Sequence, residues 1–328
     1  MRKVLILGFM FAAIAVRAQF PPPAGQPGST AIHFDSTCFK FWADSCTVIR
    51  GFVNISDTTF TYEGQNRAFY GSPSDAKGVP DEFTVSLGDG GSALLTFPVS
   101  IGNGPGYDFA VFENAISDVF LELGFVEVSS DGSHFVRFPA ISLVQTAVQV
   151  PTFGSTDATL INNFAGKYRA LYGTPFDLDD IKDSTGIDLQ RITRVRIVDA
   201  IGCIQPAFAS YDSEGLPVND PWPTPFHTCG FDLDAVGVIN LGAQAIPNTT
   251  GPSTFIIYPN PVGDLLSVAC GEHKALLTLL SSDGKIIIEN MLVDRYAELP
   301  MANVPPGLYI CRIIYSDGST AGRTILKN

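Results

Sequence analysis

The chain has 328 residues and a formal net charge of −13, with 33 acidic residues against 20 basic ones and only 4 histidines. That length accommodates two domains, each with its own hydrophobic core. The acidic balance argues against a nucleic-acid partner, which needs a basic surface to displace phosphate counterions, and it suits an exported protein or one that uses divalent cations.

Residues 1–18 open with Arg2 and Lys3, continue through an apolar run from Val4 to Val16 and end in the small-residue pattern Val16-Arg17-Ala18. This is the signature of a secretory signal peptide. The apolar run is shorter than the roughly 20 residues of a membrane-spanning helix, so no transmembrane segment is expected in the mature protein. Residues 19–32 are rich in proline and glycine and read as an extended lead-in. The six cysteines, at 38, 46, 203, 229, 270 and 311, favour disulfides in an exported chain. Proximity pairs Cys38 with Cys46 and Cys203 with Cys229 and allows Cys270 with Cys311 across strands, although sequence alone leaves other pairings open.

Residues 33–241 carry many short apolar runs separated by turn signals, with almost no helical periodicity. They predict an all-β domain, a jelly-roll-like antiparallel β-sandwich. At its centre, Gly106 to Asn114 ("GYDFAVFEN") is apolar on both faces, with Phe109 and Val111 pointing one way and Ala110 and Phe112 the other, as in the middle of a sandwich. Val85 to Phe97 reads as a hairpin around "GDGG". Phe125 to Phe138 reads as a second hairpin, with Asp131-Gly132 as a two-residue type I′ turn. Phe176 to Asp183 predicts one short helix capped by Asp177. Ile192 to Ala200 alternates with Val195 and Ile197 inward and Arg194 and Arg196 outward. Gly230 to Leu241 is the closing strand. Residues 242–254 form a linker by composition, and residues 255–328 predict a small C-terminal β-sandwich of about six short strands.

Candidate ligand and metal residues follow from where polar groups fall on this frame. Period-two alternation places Glu127 on the side of Leu123, Phe125, Val136 and Phe138. There a carboxylate lines a ligand groove, holds a cation, or sits at the sheet end paired with an arginine. Asp232 and Asp234 share one face of the closing strand, and Asp108, Glu113 and Asp199 sit at strand ends. Hard oxygens converging from several strands are what Ca²⁺ requires, although no contiguous calcium loop occurs. Trp222, Trp42, Tyr211, Tyr172 and Tyr168 lie in loop-like segments and could stack on sugar faces. Trp222 is the foremost of them because Pro221, Pro223 and Pro225 surround it. No G-x-S-x-G, H-E-x-x-H or Cys-His arrangement is present, so the expected protein is not an enzyme. The alternative is a hydrolase or lyase using a carboxylate pair such as Glu113 with Glu122, and a structural surface role also fits.

The tail carries "IYPNPVGDLLSV" (Ile257 to Val268), "SSDGKII", "VPPGLYICRI" and a terminal "GRTILKN". Jointly these resemble the type A C-terminal sorting domain of proteins secreted by the type IX system of Bacteroidota. The resemblance implies engagement of the type IX machinery and export through the periplasm and across the outer membrane, with the cargo released or held at the cell surface. The preceding domain, through "SLGDGGSALLTF", "NGPGYDFAVFEN", "FVEVSSDGSHFVRFP", "GTPFDL" and "GFDLDAVGVI", resembles a family of uncharacterised bacterial cell-surface proteins. More distantly, "VEVSSDG" and "FDLDAVGV" are similar to galactose-binding-like jelly rolls. That similarity implies a glycan ligand and, at Asp234, a structural calcium ligand.

Overall fold

The computed structural model describes residues 20–242, 255–282, 284–315 and 320–328. The export signal expected over 1–18 lies outside the described residues, as does all but the first residue of the linker expected over 242–254.

The cargo domain is built from thirteen strands: β1 (Ile32–His33), β2 (Phe41–Trp42), β3 (Ser45–Ile49), β4 (Val85–Ser86), β5 (Ser92–Ile101), β6 (Phe109–Glu113), β7 (Gly124–Ser129), β8 (Val136–Arg137), β9 (Ile141–Ser142), β10 (Ile161–Asn162), β11 (Tyr172–Phe176), β12 (Ile192–Asp199) and β13 (Asp232–Val238). One sheet runs β1-β11-β6-β13-β2, with β4 also on β13, and the facing sheet runs β3-β5-β12-β7-β8. Every pairing is antiparallel. The inner faces meet in one core: Phe109 and Val111 of β6, with Leu233 and Val236 of β13, oppose Leu95 of β5, Val195 and Ile197 of β12 and Val126 of β7. Burying a ring the size of Phe109 contributes about 1.5 to 3 kcal/mol.

β6 and β13 are buried along their whole length, because the outer face of their sheet is covered too. Ala110, Phe112 and Ala235 pack under Phe34, Phe39 and Trp42. The continuous apolar run of β6 therefore reports a strand covered on both sides, as its sequence predicts. The strand that closes the domain in sequence is central in space, lying between β6 and the β2 and β4 edges.

Several local expectations are corrected. Val85 to Phe97 is no hairpin: β4 pairs with β13 and β5 with β12 and β3, so the chain crosses between sheets at "GDGG". The β7–β8 hairpin exists, but its loop is longer than two residues. Val128 pairs with Val136, and the Asp131 carboxylate accepts the backbone N–H groups of Ser133 and His134 while Gly132 takes a φ of 81°. The longer loop reverses the expected parity of β8, since Arg137 now opposes Glu127 and Phe138 enters the core against Phe109 and Phe176. The helix expected at Phe176 to Asp183 is one 3-10 turn, Leu178–Ile181, capped as expected by Asp177.

The lead-in is part of the fold rather than a loose extension. Phe20 donates its N–H to the Thr159 carbonyl, Ala24 is buried with its carbonyl bound by Arg169, and Thr30 bonds the Tyr168 hydroxyl.

All six cysteines are free thiols, so neither the two expected disulfides nor the Cys270–Cys311 bridge is formed. Ser36 Oγ donates to Cys38, Cys46 packs against the main core from β3, and Cys229 donates to the Phe52 carbonyl beside Val53 and Ala68. Burial pushes the Cys46 thiol up to about 11.

The tail comprises β14 (Ile256–Tyr258), β15 (Leu265–Ser281), β16 (Ile286–Pro300), β17 (Gly307–Tyr315) and β18 (Thr320–Lys327). Several of the expected short strands merge into the long β15–β16 pair, which shifts register between Ala269 and Lys274. The tail keeps a core of its own around Leu266, Leu277, Val293, Leu299 and Ile313. Tyr258 instead meets Phe41 of the cargo domain edge-on, with ring centroids 5.5 Å apart.

Candidate functional site

The antiparallel order brings the end of β6, the start of β13, the end of β4, the end of β12 and the start of β7 to the same end of the sandwich. The loops gathered there form a cleft of about 310 Å³. Its lining combines two chemistries. Glu113, Glu122 and Asp232 supply carboxylates, and Tyr70, Phe120, Phe153 and Phe226 supply rings, with Asn114, Thr224 and Thr228 between them. The rings form a rail: Phe226 stacks on Phe153 at 5.8 Å, Phe153 lies 6.4 Å from Phe120, and Tyr62 continues the line through its contact with Phe226 and its stack on His227. Phe153 is 77% exposed and Ile116 87%, so the lip of the cleft is apolar surface open to solvent.

The carboxylates are held differently. Glu113, the last residue of β6, accepts the Ala115 backbone N–H at 2.7 Å. Burial, and then the nearby Asp232, hold its carboxyl well above the usual range. Asp232 accepts from the Ser86 hydroxyl, and burial pushes it up to about 7 even though Ser86 and Arg50 act in the opposite direction. Arg50 itself is engaged by the carbonyls of Tyr70, Gly71 and Ser86. Glu122 is only 8% exposed, and no hydrogen bond reaches its carboxylate from the described residues. Burial, then Asp232 and Glu113, raise it well above the usual range.

Behind Glu122 and Thr224 a second, small cavity is lined by Asp89, Asp199, Asp220 and Trp222. Asp199 accepts the N–H groups of Gly90 and Phe231, and burial with Asp89 nearby pushes it up to about 8. Asp89 accepts from the Ile55 N–H and the Trp222 indole, and burial pushes it up to about 6. Asp220 accepts the Leu123 N–H. The two cavities make one acidic seam through the end of the sandwich. Neither is lined by a lysine or an arginine.

Of the residues singled out from sequence, the structure brings Glu113, Glu122 and Asp232 to the cleft and Asp199 and Trp222 to the cavity behind it. Asp234 and Asp108 serve elsewhere as backbone clamps. Asp234 accepts the N–H groups of Asp81 and Glu82, and Asp108 accepts those of Gly104 and Leu178 together with the Asn240 side-chain amide. The proposed calcium ligands therefore do not converge on one point. Among the described residues no group of three or more His, Cys, Asp or Glu side chains is arranged to hold a metal ion. Glu127 lines no groove, because Arg137 and Arg196 close over its two oxygens.

Neither tryptophan lines the cleft, although Trp42 borders a separate cavity of about 520 Å³. Trp222 is 7% exposed, with its indole turned inward to Asp89, and Trp42 packs with Phe39 and Phe112. Tyr172 sits between His33 and the Arg169 guanidinium, and Tyr168 is buried. Tyr211 is exposed, but it lies outside the cleft.

Residues 256–327 match the family model of the secretion system C-terminal sorting domain. The tail is a type IX sorting domain. It directs export across the outer membrane, to the cell surface or beyond it. The match covers the tail and does not extend into the domain before it. No curated protein matches the chain. Among solved structures, a β-glucuronidase from Parabacteroides merdae with glycerol in its active site aligns at 10% identity with a TM-score of 0.20. That alignment covers 93% of this chain and 36% of the enzyme, and a likeness of this size carries no argument. Among the described residues no helix is long and apolar enough to cross a membrane.

Sequence reasoning reached Glu113 and Glu122 only as one possible pair among many acids, and it missed Phe120, Phe153, Phe226 and Tyr70. Phe153 and Phe226 come from loops without periodicity, far apart in the chain. Their one sequence signal is that each is a large aromatic residue next to a proline or glycine, in a segment that predicts no strand to bury it.

Proposed function

We propose that the cargo domain is a non-catalytic glycan-binding module, carried out of the cell by its sorting domain. The observation that carries this reading is the pairing of an aromatic rail with an acidic floor in one open cleft. Sugar rings present C–H faces that stack on aromatic side chains and hydroxyls that bond carboxyl groups. The 310 Å³ volume lies at the lower end of small-molecule sites, which fits one sugar unit of a longer chain held along the rail. The similarity of "VEVSSDG" and "FDLDAVGV" to galactose-binding-like jelly rolls supports the same class by analogy. The test is a glycan array probed with the mature protein and with Phe153→Ala. Binding to a defined glycan set that Phe153→Ala lowers at least tenfold supports the reading. Absence of any glycan hit, with the protein shown to be folded, overturns it.

A second reading is favoured by one specific observation: Glu113 and Glu122 share the cleft, and both carboxyls are raised. A protonated acid beside a second carboxyl is the equipment of a glycoside hydrolase. Release of reducing ends from an array hit, abolished in both Glu122→Gln and Glu113→Gln, selects this reading over simple binding.

A further inference from the structure

We infer that the group this cleft recognises is cationic, and specifically that its ligand is a sugar bearing a free amine. The inference rests on the glycan reading above and names the substrate class for the same site. Three carboxyl groups, Glu113, Glu122 and Asp232, line a space with no lysine or arginine in its wall. Arg50 acts on Asp232 from outside the wall and is already bound by three backbone carbonyls.

Glu113 and Asp232 each have a donor. Glu122 does not, although it is more than nine-tenths buried and faces the cleft. Its oxygens are not among the sealed side-chain atoms left without a partner, so they open onto the cleft, where a ligand's donor can take the place of water. An ammonium group supplies three N–H donors and a positive charge. It also suits the rest of the wall, since the faces of Tyr70, Phe120, Phe153 and Phe226 attract a cation through their quadrupoles. A bare metal ion suits it less. Rings occupy much of the lining where oxygen ligands would be needed, and no metal-holding set of side chains occurs among the described residues.

The probes are glucosamine oligomers and their fully N-acetylated counterparts of equal length, titrated into the mature full chain at about 0.15 M salt, where diffuse surface attraction is screened. The expected result is at least tenfold tighter binding of the free-amine oligomers. Glu122→Gln is expected to erase that preference while leaving the weak N-acetyl binding in place. Because the whole protein is acidic, Asp183→Asn serves as the control: it removes one charge from an exposed site and leaves the preference intact. Equal or tighter binding of the N-acetylated oligomers overturns the inference while leaving the glycan reading standing. So does a preference that survives in folded Glu122→Gln. If neither oligomer binds and the array is also blank, both readings fail together. Should Glu122→Gln not fold, the wild-type preference alone decides, since its absence is enough to overturn the claim.

Discussion

Glu127 shows how a residue that looks functional in sequence becomes structural once its neighbours are known. Alternation groups it with Leu123 and Phe125 but also, through the wrong parity for β8, with Val136 and Phe138, and the guanidinium groups that satisfy it come from β8 and β12, whose registers sequence does not fix. Replacing it with alanine leaves two half-buried arginines facing each other. Glu127→Ala should lower stability by about 1 to 3 kcal/mol in urea melts without changing ligand binding. A variant of wild-type stability would mean that the ion pairs contribute nothing. Asp108 and Asp234 belong to the same class. Each is an acid on or beside a central strand whose oxygens are taken by backbone N–H groups of neighbouring loops, a role that sequence cannot separate from metal ligation because both need the same side chain at the same place.

At the scale of elements, the central strands were the most legible part of the chain. The run from Phe109 to Phe112 is apolar on both faces, and such a pattern fits only a strand covered twice, which is where β6 lies. Phe109→Ala should therefore cost about 3 to 5 kcal/mol, measured as a drop in the denaturation midpoint; a loss below 1 kcal/mol would contradict the double-sided burial. Hairpins were less legible. Adjacent strand-like runs joined by glycines look alike whether the chain turns back in one sheet or crosses to the other, so β4 and β5 were misassigned. The cleft depends on one such turn. Gly166 adopts a φ of 80°, and a Cβ there would stand 2.0 Å from the Glu122 carbonyl oxygen. Gly166→Ala should destabilise the domain by on the order of 2 kcal/mol or more and should weaken ligand binding by displacing Glu122. Normal binding by this variant would show that the position of Glu122 is immaterial.

For the molecule as a whole, the buried acids of the sandwich, most of them gathered at one end, set a pH dependence of stability. Burial raises Asp199 to about 8, Asp232 to about 7, and Asp89 and Asp234 to about 6, whereas unfolded aspartates titrate near 4. The folded state thus retains protons that the unfolded chain releases. The stabilisation tied to these groups is complete below about pH 4 and is lost as pH rises through 6 to 8. The melting temperature should accordingly fall between about pH 5.5 and 8.5, and a rise across that window would contradict the raised carboxyls. The export function separates cleanly from this chemistry. Deleting Phe255 to Asn328 removes the sorting domain with its own core, together with the packing of Ile256 and Tyr258 against the core of the cargo domain. The cargo should remain folded in the periplasm, and normal amounts of the truncated protein outside the cell would contradict the role of the tail. The sorting domain was legible because several short motifs recur together. The cleft was not, because its rings and acids come from six separate segments that only the fold assembles. The most direct test of the glycan-binding cleft is a crystal structure of the cargo domain with an oligosaccharide identified on the array. A sugar ring seated against Phe153 and Phe226 with an oxygen or nitrogen bonded to Glu122 is the predicted result, and a ligand bound elsewhere, with this cleft empty, would contradict it.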